Sequence, residues 1–211
     1  MQNSRTDDIE HKILDSAGEV FAEHGFQGAT VRDICARAGT NIASINYYFG
    51  DKAALYAEVL QYSHNCAQEL LPALPENSAA LSTEEKLYHF VFNFLRRLIE
   101  KGKPTWHGRL ISREMMQPSP AFDSLIESGI KPHFVILLEI MGNLLRRTIS
   151  DDAVGLCAAS VIGQCHHFHH CRYVIEKLAP EHALNDENLA KIAKHITSFT
   201  LAATSSLARN Q

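Results

Sequence analysis

The densest concentration of metal- and proton-handling side chains is the run Cys165-His166-His167-Phe168-His169-His170-Cys171. On a helix, residues four apart share a face, which pairs His166 with His170, His167 with Cys171, and Cys165 with His169. An i, i+4 histidine pair begins a zinc, nickel or copper site but supplies only two ligands. The others would have to come from elsewhere in the chain or across a dimer. The competing reading is a helix at an interface or pocket wall, its imidazoles satisfied by hydrogen bonds. We assign no metal and no cofactor to it.

A second set of side chains is suited to recognition. Between Asn41 and Tyr48, in NIASINYY, serine and asparagine can bond base edges and alanine can touch a thymine methyl. The tyrosine hydroxyls can reach phosphates. A third set, Arg109 and Arg113, lies four apart and forms a cationic patch able to hold an anionic ligand or to pair with Glu114. Trp106, Tyr88, Phe92 and Tyr173 can line an aromatic pocket, although aromatics at helical spacing also serve as core. Enzyme signatures are missing: the chain has no phosphate-binding glycine loop, no HExxH, no GxSxG and no parallel-sheet pattern. The expectation is a protein that is not an enzyme.

The elements that position the recognition set are short. Thr30 is a capping residue, and Val31, Ile34, Cys35 and Ala38 make one apolar stripe on a helix of about two turns. Gly39 ends it by supplying a left-handed backbone. A second helix restarts at Asn41, with Ile42, Ile45 and Phe49 expected inside and Ala43, Ser44, Asn46 and Tyr47 outside. Gly50 and Asp51 break it, and Lys52 opens a third. Two short helices around a glycine turn form a helix-turn-helix, whose second helix lies in the DNA major groove. The same pattern also suits a helical hairpin inside an all-α domain.

Three stretches carry a family resemblance. TVRDICARAG at 30–39, INYYFGDKAAL at 45–55 and ILDSAGEVFAEHGF at 13–26 together resemble the N-terminal domain of the TetR family of bacterial repressors. The resemblance implies a three-helix DNA-binding head on an all-helical ligand-binding body, working as a homodimer on double-stranded operator DNA with a small-molecule effector. Asn46 stands where the family usually has tyrosine, and Tyr48 where it often has histidine, so base contacts do not transfer residue by residue. The DNA-facing set expected here is Thr30, Arg32, Asn41, Ile42, Ala43, Ser44, Asn46, Tyr47, Tyr48 and Lys52. Arg5, ahead of the first helix, is a further candidate for the phosphate backbone. WHGRLISREMMQPSPAFD at 106–123, IKPH at 130–133 and SVIGQC at 160–165 are similar to the CecR-like subgroup, associated with drug-sensitivity and transport genes. The ligand-facing candidates are Trp106, Arg109, Arg113, Tyr88, Phe92, Gln164 and His167.

The rest of the chain reads as all-α, about nine helices in all. The first runs from Asp7 to His24 and stops at Gly25. The one opened by Lys52 continues to Leu71, ahead of Pro72. PALPENSAALS at 72–82 is a loop, and Ser82 with Glu85 forms a capping box. Five helices come after it at 83–101, 105–116, 121–148 (broken near Pro132), 151–178 and 185–208. The domains expected are 1–52 for DNA binding, linked through helix 52–71, and 53–211 for effector binding and dimerisation.

Whole-chain properties set limits. The chain has 211 residues, 45% of them hydrophobic and 21% charged, with five cysteines lacking a disulfide-framework spacing. No apolar run approaches the ~18 residues that span a bilayer, and the polar N-terminus is no signal peptide. A cytoplasmic location is expected. The net charge is −4, and the first 52 residues hold five Lys and Arg against eight carboxylates. Non-specific DNA affinity comes mostly from phosphate neutralisation, so a shallow salt dependence is expected.

Overall fold

The computed structural model describes residues 2–99 and 106–209, without the side chains of 2–7 and 67–70. It is all-α, and no strand occurs among the described residues. The helices are α1 (Gln2–Gly28), α2 (Val31–Ala38), α3 (Ile42–Phe49), α4 (Lys52–Leu70), α5 (Thr83–Ile99), α6 (His107–Met116), α7 (Phe122–Leu125), α8 (Lys131–Leu145), α9 (Asp152–His170), α10 (Arg172–Leu178) and α11 (Leu189–Arg209). The helix end expected at 101 and the start expected at 105 lie outside the described residues. The helices pack as two compact units, residues 1–70 with 101–131 and residues 71–100 with 132–211.

In the first unit α1 packs against α2, α4 and α6. Its stripe of Ile13, Ala17, Val20 and Phe21 is buried with Ile34, Ala38, Ile45, Leu55 and Val59. Gly25 interrupts α1 at φ 72°, where the sequence places its end, although a last turn continues to Gly28. Trp106, only 2% exposed, fills the space over Gly18: a Cβ there would stand 2.1 Å from the indole Cε2. Glycine is therefore the residue that lets α6 approach α1. Buried Glu114 of α6 accepts from Tyr56 Oη at 2.5 Å, Ser119 N at 3.1 Å and Ser119 Oγ at 2.9 Å. Both carboxylate oxygens are thus satisfied, as burial requires. Burial, then the Glu114 carboxylate, hold the Tyr56 phenol well above its usual range.

In the second unit α5 packs on α9 and α11. Leu87, Phe90, Val91 and Leu95 of α5 face Val154, Ala158, Val161 and Cys165 of α9 and Ile192, Ala193 and Ile196 of α11, all at helical spacing. The capping box forms as its spacing predicts: Glu85 N donates to Ser82 Oγ at 3.2 Å and Ser82 N to Glu85 Oε2 at 2.8 Å.

Two long helices are interrupted differently from expectation. The break in 121–148 is a π segment at Ile126–Ile130, one turn before Pro132. Pro132 itself sits in the first turn of α8, where a missing N–H costs little. The 151–178 stretch divides at Cys171 into α9 and α10.

Candidate nucleic-acid interface

The helix-turn-helix forms with the caps its residues dictate. Thr30 Oγ1 accepts from Asp33 N at 3.1 Å and donates to the Asp33 carboxylate at 2.6 Å. Gly39 closes α2 in the left-handed region at φ 62°, ψ 39°. Asn41 Oδ1 then accepts from Ser44 N at 2.9 Å and starts α3. One face of α3 is anchored by Ile45 at 0% exposure and Phe49 at 8%. The other carries Ala43, Asn46 and Tyr47, and Tyr47 is 82% exposed. Tyr47 packs edge-on against the half-buried Tyr48, with ring centroids 5.1 Å apart. A polar, hydrogen-bonding rod face on two apolar anchors is what groove reading needs.

Ile42 departs from its expected burial and is 48% exposed. The apolar stripe needs only Ile45 and Phe49 to seat α3 on α2 and α4, so the first residue lies beyond the core.

Lys52 finds partners within its own chain. Its Nζ donates to Phe26 O at 2.8 Å and Ala29 O at 3.1 Å and stands 4.7 Å from the Phe26 ring centroid. A cation at the start of α4 opposes that helix's dipole, which is the reason to expect a phosphate partner. Carbonyls at the end of α1, where a cation is favoured, offset the dipole instead. Thr30 likewise donates its hydroxyl hydrogen bond to the Asp33 carboxylate.

The cations left facing water explain the electrostatics. Arg37 is held by Glu23 at 2.9 Å and Glu19 at 3.4 Å. Its hydrogen bonds keep the Glu23 carboxyl below the usual range. Arg32 and Lys12 remain exposed, and the Arg5 side chain lies outside the described residues. Lys12 is absent from the DNA-facing set expected from sequence. Together with Ile9, Thr40, Ser44 and Tyr48 it lines a cleft of about 200 Å³ beside the start of α3. The phase of α1 gives the clue: Lys12 directly precedes Ile13 of the buried stripe, which brings it to the edge of the α2–α3 turn.

The expected ligand-facing residues are divided between the two compact units. Trp106, Arg109 and Arg113 belong to the first unit and Tyr88, Phe92, Gln164 and His167 to the second. Trp106 is core, and Arg113 Nη1 donates to Ala22 O and Glu23 O at 3.2 and 3.0 Å rather than pairing with Glu114. Arg109 and His167 are exposed, and Gln164 Nε2 donates back to Ser160 O at 3.3 Å. Tyr88 and Phe92 lie beside each other, half-buried against the core, with ring centroids 5.9 Å apart.

The histidine run forms the end of α9. His166 and His170 have ring centroids 5.2 Å apart, as the i, i+4 spacing requires. His170 Nδ1 lies 3.1 Å from His166 O. Among the described residues no group of three His, Cys, Asp or Glu side chains could hold a metal ion. Burial pushes the Cys165 thiol up to about 12, which removes it as a nucleophile or redox thiolate near neutral pH.

Comparison with known proteins agrees with this geometry. The family model described as bacterial regulatory proteins, tetR family, matches residues 13–59. The one described as HTH-type transcriptional dual regulator CecR, C-terminal domain, matches residues 83–204. The dual regulator CecR of Shigella flexneri is 28% identical over 163 residues, 72% of each chain. The probable HTH-type transcriptional regulator YttP of Bacillus subtilis is 28% identical over 149 residues, 61% of this chain and 72% of YttP. A solved putative transcriptional regulator from Pseudomonas aeruginosa PAO1 has the same fold, with a TM-score of 0.65 at 18% identity over 94% of this chain and 93% of that one. The chain therefore belongs to the TetR family of bacterial transcriptional regulators and carries a C-terminal domain of the CecR type.

Proposed function

We propose that the protein is a ligand-responsive transcriptional repressor that binds a palindromic operator as a homodimer in the cytoplasm and controls transport or drug-sensitivity genes. The observation that carries this reading is the outward face of α3, with Asn46 and Tyr47 in water and Ile45 and Phe49 buried beneath them. Two such helices reach successive major grooves when their centres lie about 34–36 Å apart.

The dimer has a surface suited to it. α9 and α11 are neighbours, and their exposed sides carry Leu156 at 62% and Phe199 at 60% exposure, with Gly163 and Leu207 further along. Large apolar side chains left in water on adjacent helices are covered by a second copy. We assign DNA reading to residues 1–52, and effector binding and dimerisation to residues 53–211, with α4 as the link. Residues 101–131 are spliced into the chain between segments of the second unit yet pack with the first. An effector shifts the heads only by binding one arrangement better, typically worth ~1–3 kcal/mol. The alternative within the same fold is a regulator that responds to metal or redox state through the His/Cys cluster 165–171, and no observation favours it over this one.

The test is selection of duplexes from a random pool, followed by transcription from a promoter bearing the selected site. A palindrome with half-sites one helical turn or a multiple apart, silenced by the protein, is the expected outcome. Selection of no consensus, or an unchanged transcript, overturns the proposal.

A further inference from the structure

Arg97, in the last turn of α5, is a half-buried cation with no anion among the described residues. Its Nη1 donates to one backbone carbonyl, Leu71 O, at 3.0 Å, and its guanidinium carbon stands 5.7 Å from the Phe94 ring centroid. No described carboxylate offsets the burial, which pushes its pKa down to about 10. The same Phe94 ring meets the His166 imidazole edge-on, at 5.4 Å between centroids. His166 and, one turn on, His169 each have a buried Nδ1 with no hydrogen-bond partner among the described residues. Phe90, Phe94 and Arg97 share one face of α5, with the Phe90 and Phe94 rings stacked at 6.2 Å, and α5 packs on α9.

A half-buried charge with no anion and two buried imidazole nitrogens with no hydrogen-bond partner, both among the described residues, are costly and call for a partner. We propose that Arg97, His166 and His169 form a site for an organic carboxylate, whose head group accepts from the guanidinium and the imidazole N–H groups while its apolar body lies along Phe94. Arg97 has four N–H donors beyond the one on Leu71 O and can grip a carboxylate bidentately. The aromatic surroundings favour a weakly hydrated monoanion over phosphate, whose desolvation costs far more. The site deepens the regulator reading by naming the chemical class of the effector, and it rests on that reading only for its effect on DNA.

The test uses the intact protein with benzoate and octanoate as probes, octanamide as the uncharged control and inorganic phosphate as the generic anion. Saturable binding of a carboxylate, raising Tm, with neither control doing so, is expected. Arg97→Met should weaken that binding about tenfold or more, the loss of one charged hydrogen-bond pair. His166→Phe/His169→Phe should weaken it less, and Arg97→Lys should restore part of it. With no described anion to lose, but one carbonyl bond and a ring contact, the unliganded Arg97→Met protein should still fold, with a Tm within a few degrees of wild type. Carboxylate binding unchanged in Arg97→Met, equal binding of phosphate, no saturable binding, or an Arg97→Met chain that fails to fold would each overturn the assignment. Duplex affinity measured alongside separates the two readings. Binding of carboxylate without any change in duplex affinity leaves the site standing and removes its effector role. Intact duplex binding without carboxylate binding removes the site alone.

Discussion

Lys52 offers the sharpest separation between a structural and a DNA-contacting lysine. Lys52→Met keeps the apolar stem and removes two charged hydrogen bonds, to Phe26 O and Ala29 O, together with the cation over the Phe26 ring. Such bonds are worth roughly 1.5–3 kcal/mol each when buried, and the ring contact about 0.5–1 kcal/mol. Lys52 is half-buried, so water replaces part of what is lost. The net destabilisation is about 2 kcal/mol, a fall in Tm of roughly 4–8 °C. Lys12→Met is the counterpart, since Lys12 is exposed beside Gly39 and the start of α3. It should leave Tm unchanged but flatten the plot of log K against log[salt] by roughly 2 per dimer, one contact per subunit at about 0.9 each. Differential scanning calorimetry and fluorescence anisotropy on duplex DNA from 50 to about 200 mM salt read both quantities. A Lys52→Met protein with unchanged Tm and a flattened salt plot would refute the assignment of its ammonium to the α1 carbonyls.

The packing makes three further outcomes measurable. Gly18→Ala drives a methyl into the buried ring of Trp106, and should cost about 1–3 kcal/mol in urea titration followed by the fluorescence of this sole tryptophan. An unshifted midpoint would mean that α6 stands further from α1. Glu114→Ala strips the acceptor from Tyr56 Oη and Ser119 and should cost about 2–4 kcal/mol, whereas duplex affinity per folded molecule stays the same. Burial holds His166 and His169 below their usual pKa, so the unfolded chain binds more protons than the folded one below about pH 6.5. Stability should therefore fall as pH drops through 6.5 towards the depressed folded values, and His166→Phe/His169→Phe should flatten that slope in a Tm-against-pH series. An identical slope in the variant would assign the loss to other groups.

Local chemistry makes much of the fold readable. Thr30, Gly39, Asn41 and the Ser82–Glu85 box each act on a backbone a few residues away, and each does in the structure what its type and spacing imply. The same holds for the buried stripe of α1 and the polar face of α3. The features that escape a sequence reading are fixed by partners far along the chain. Lys52 finds carbonyls 23 and 26 residues upstream, and Arg113 finds them 90 and 91 residues upstream. Trp106 has the composition of a pocket wall, but Gly18 decides that it is core. Arg97 carries no sequence signal, because its distinguishing feature, the lack of an anion among the described residues, depends on what the fold packs around it.

The most direct test takes the outward face of α3 alone. Asn46→Ala with Tyr47→Phe alters two exposed side chains and leaves the buried anchors Ile45 and Phe49 in place. Affinity for the selected operator and dimer mass by sedimentation equilibrium are measured on the same preparation. Operator affinity reduced about tenfold or more, with Tm and dimer mass unchanged, is the expected result. Full operator affinity in the doubly substituted protein would contradict the assignment of α3 as the helix that reads DNA.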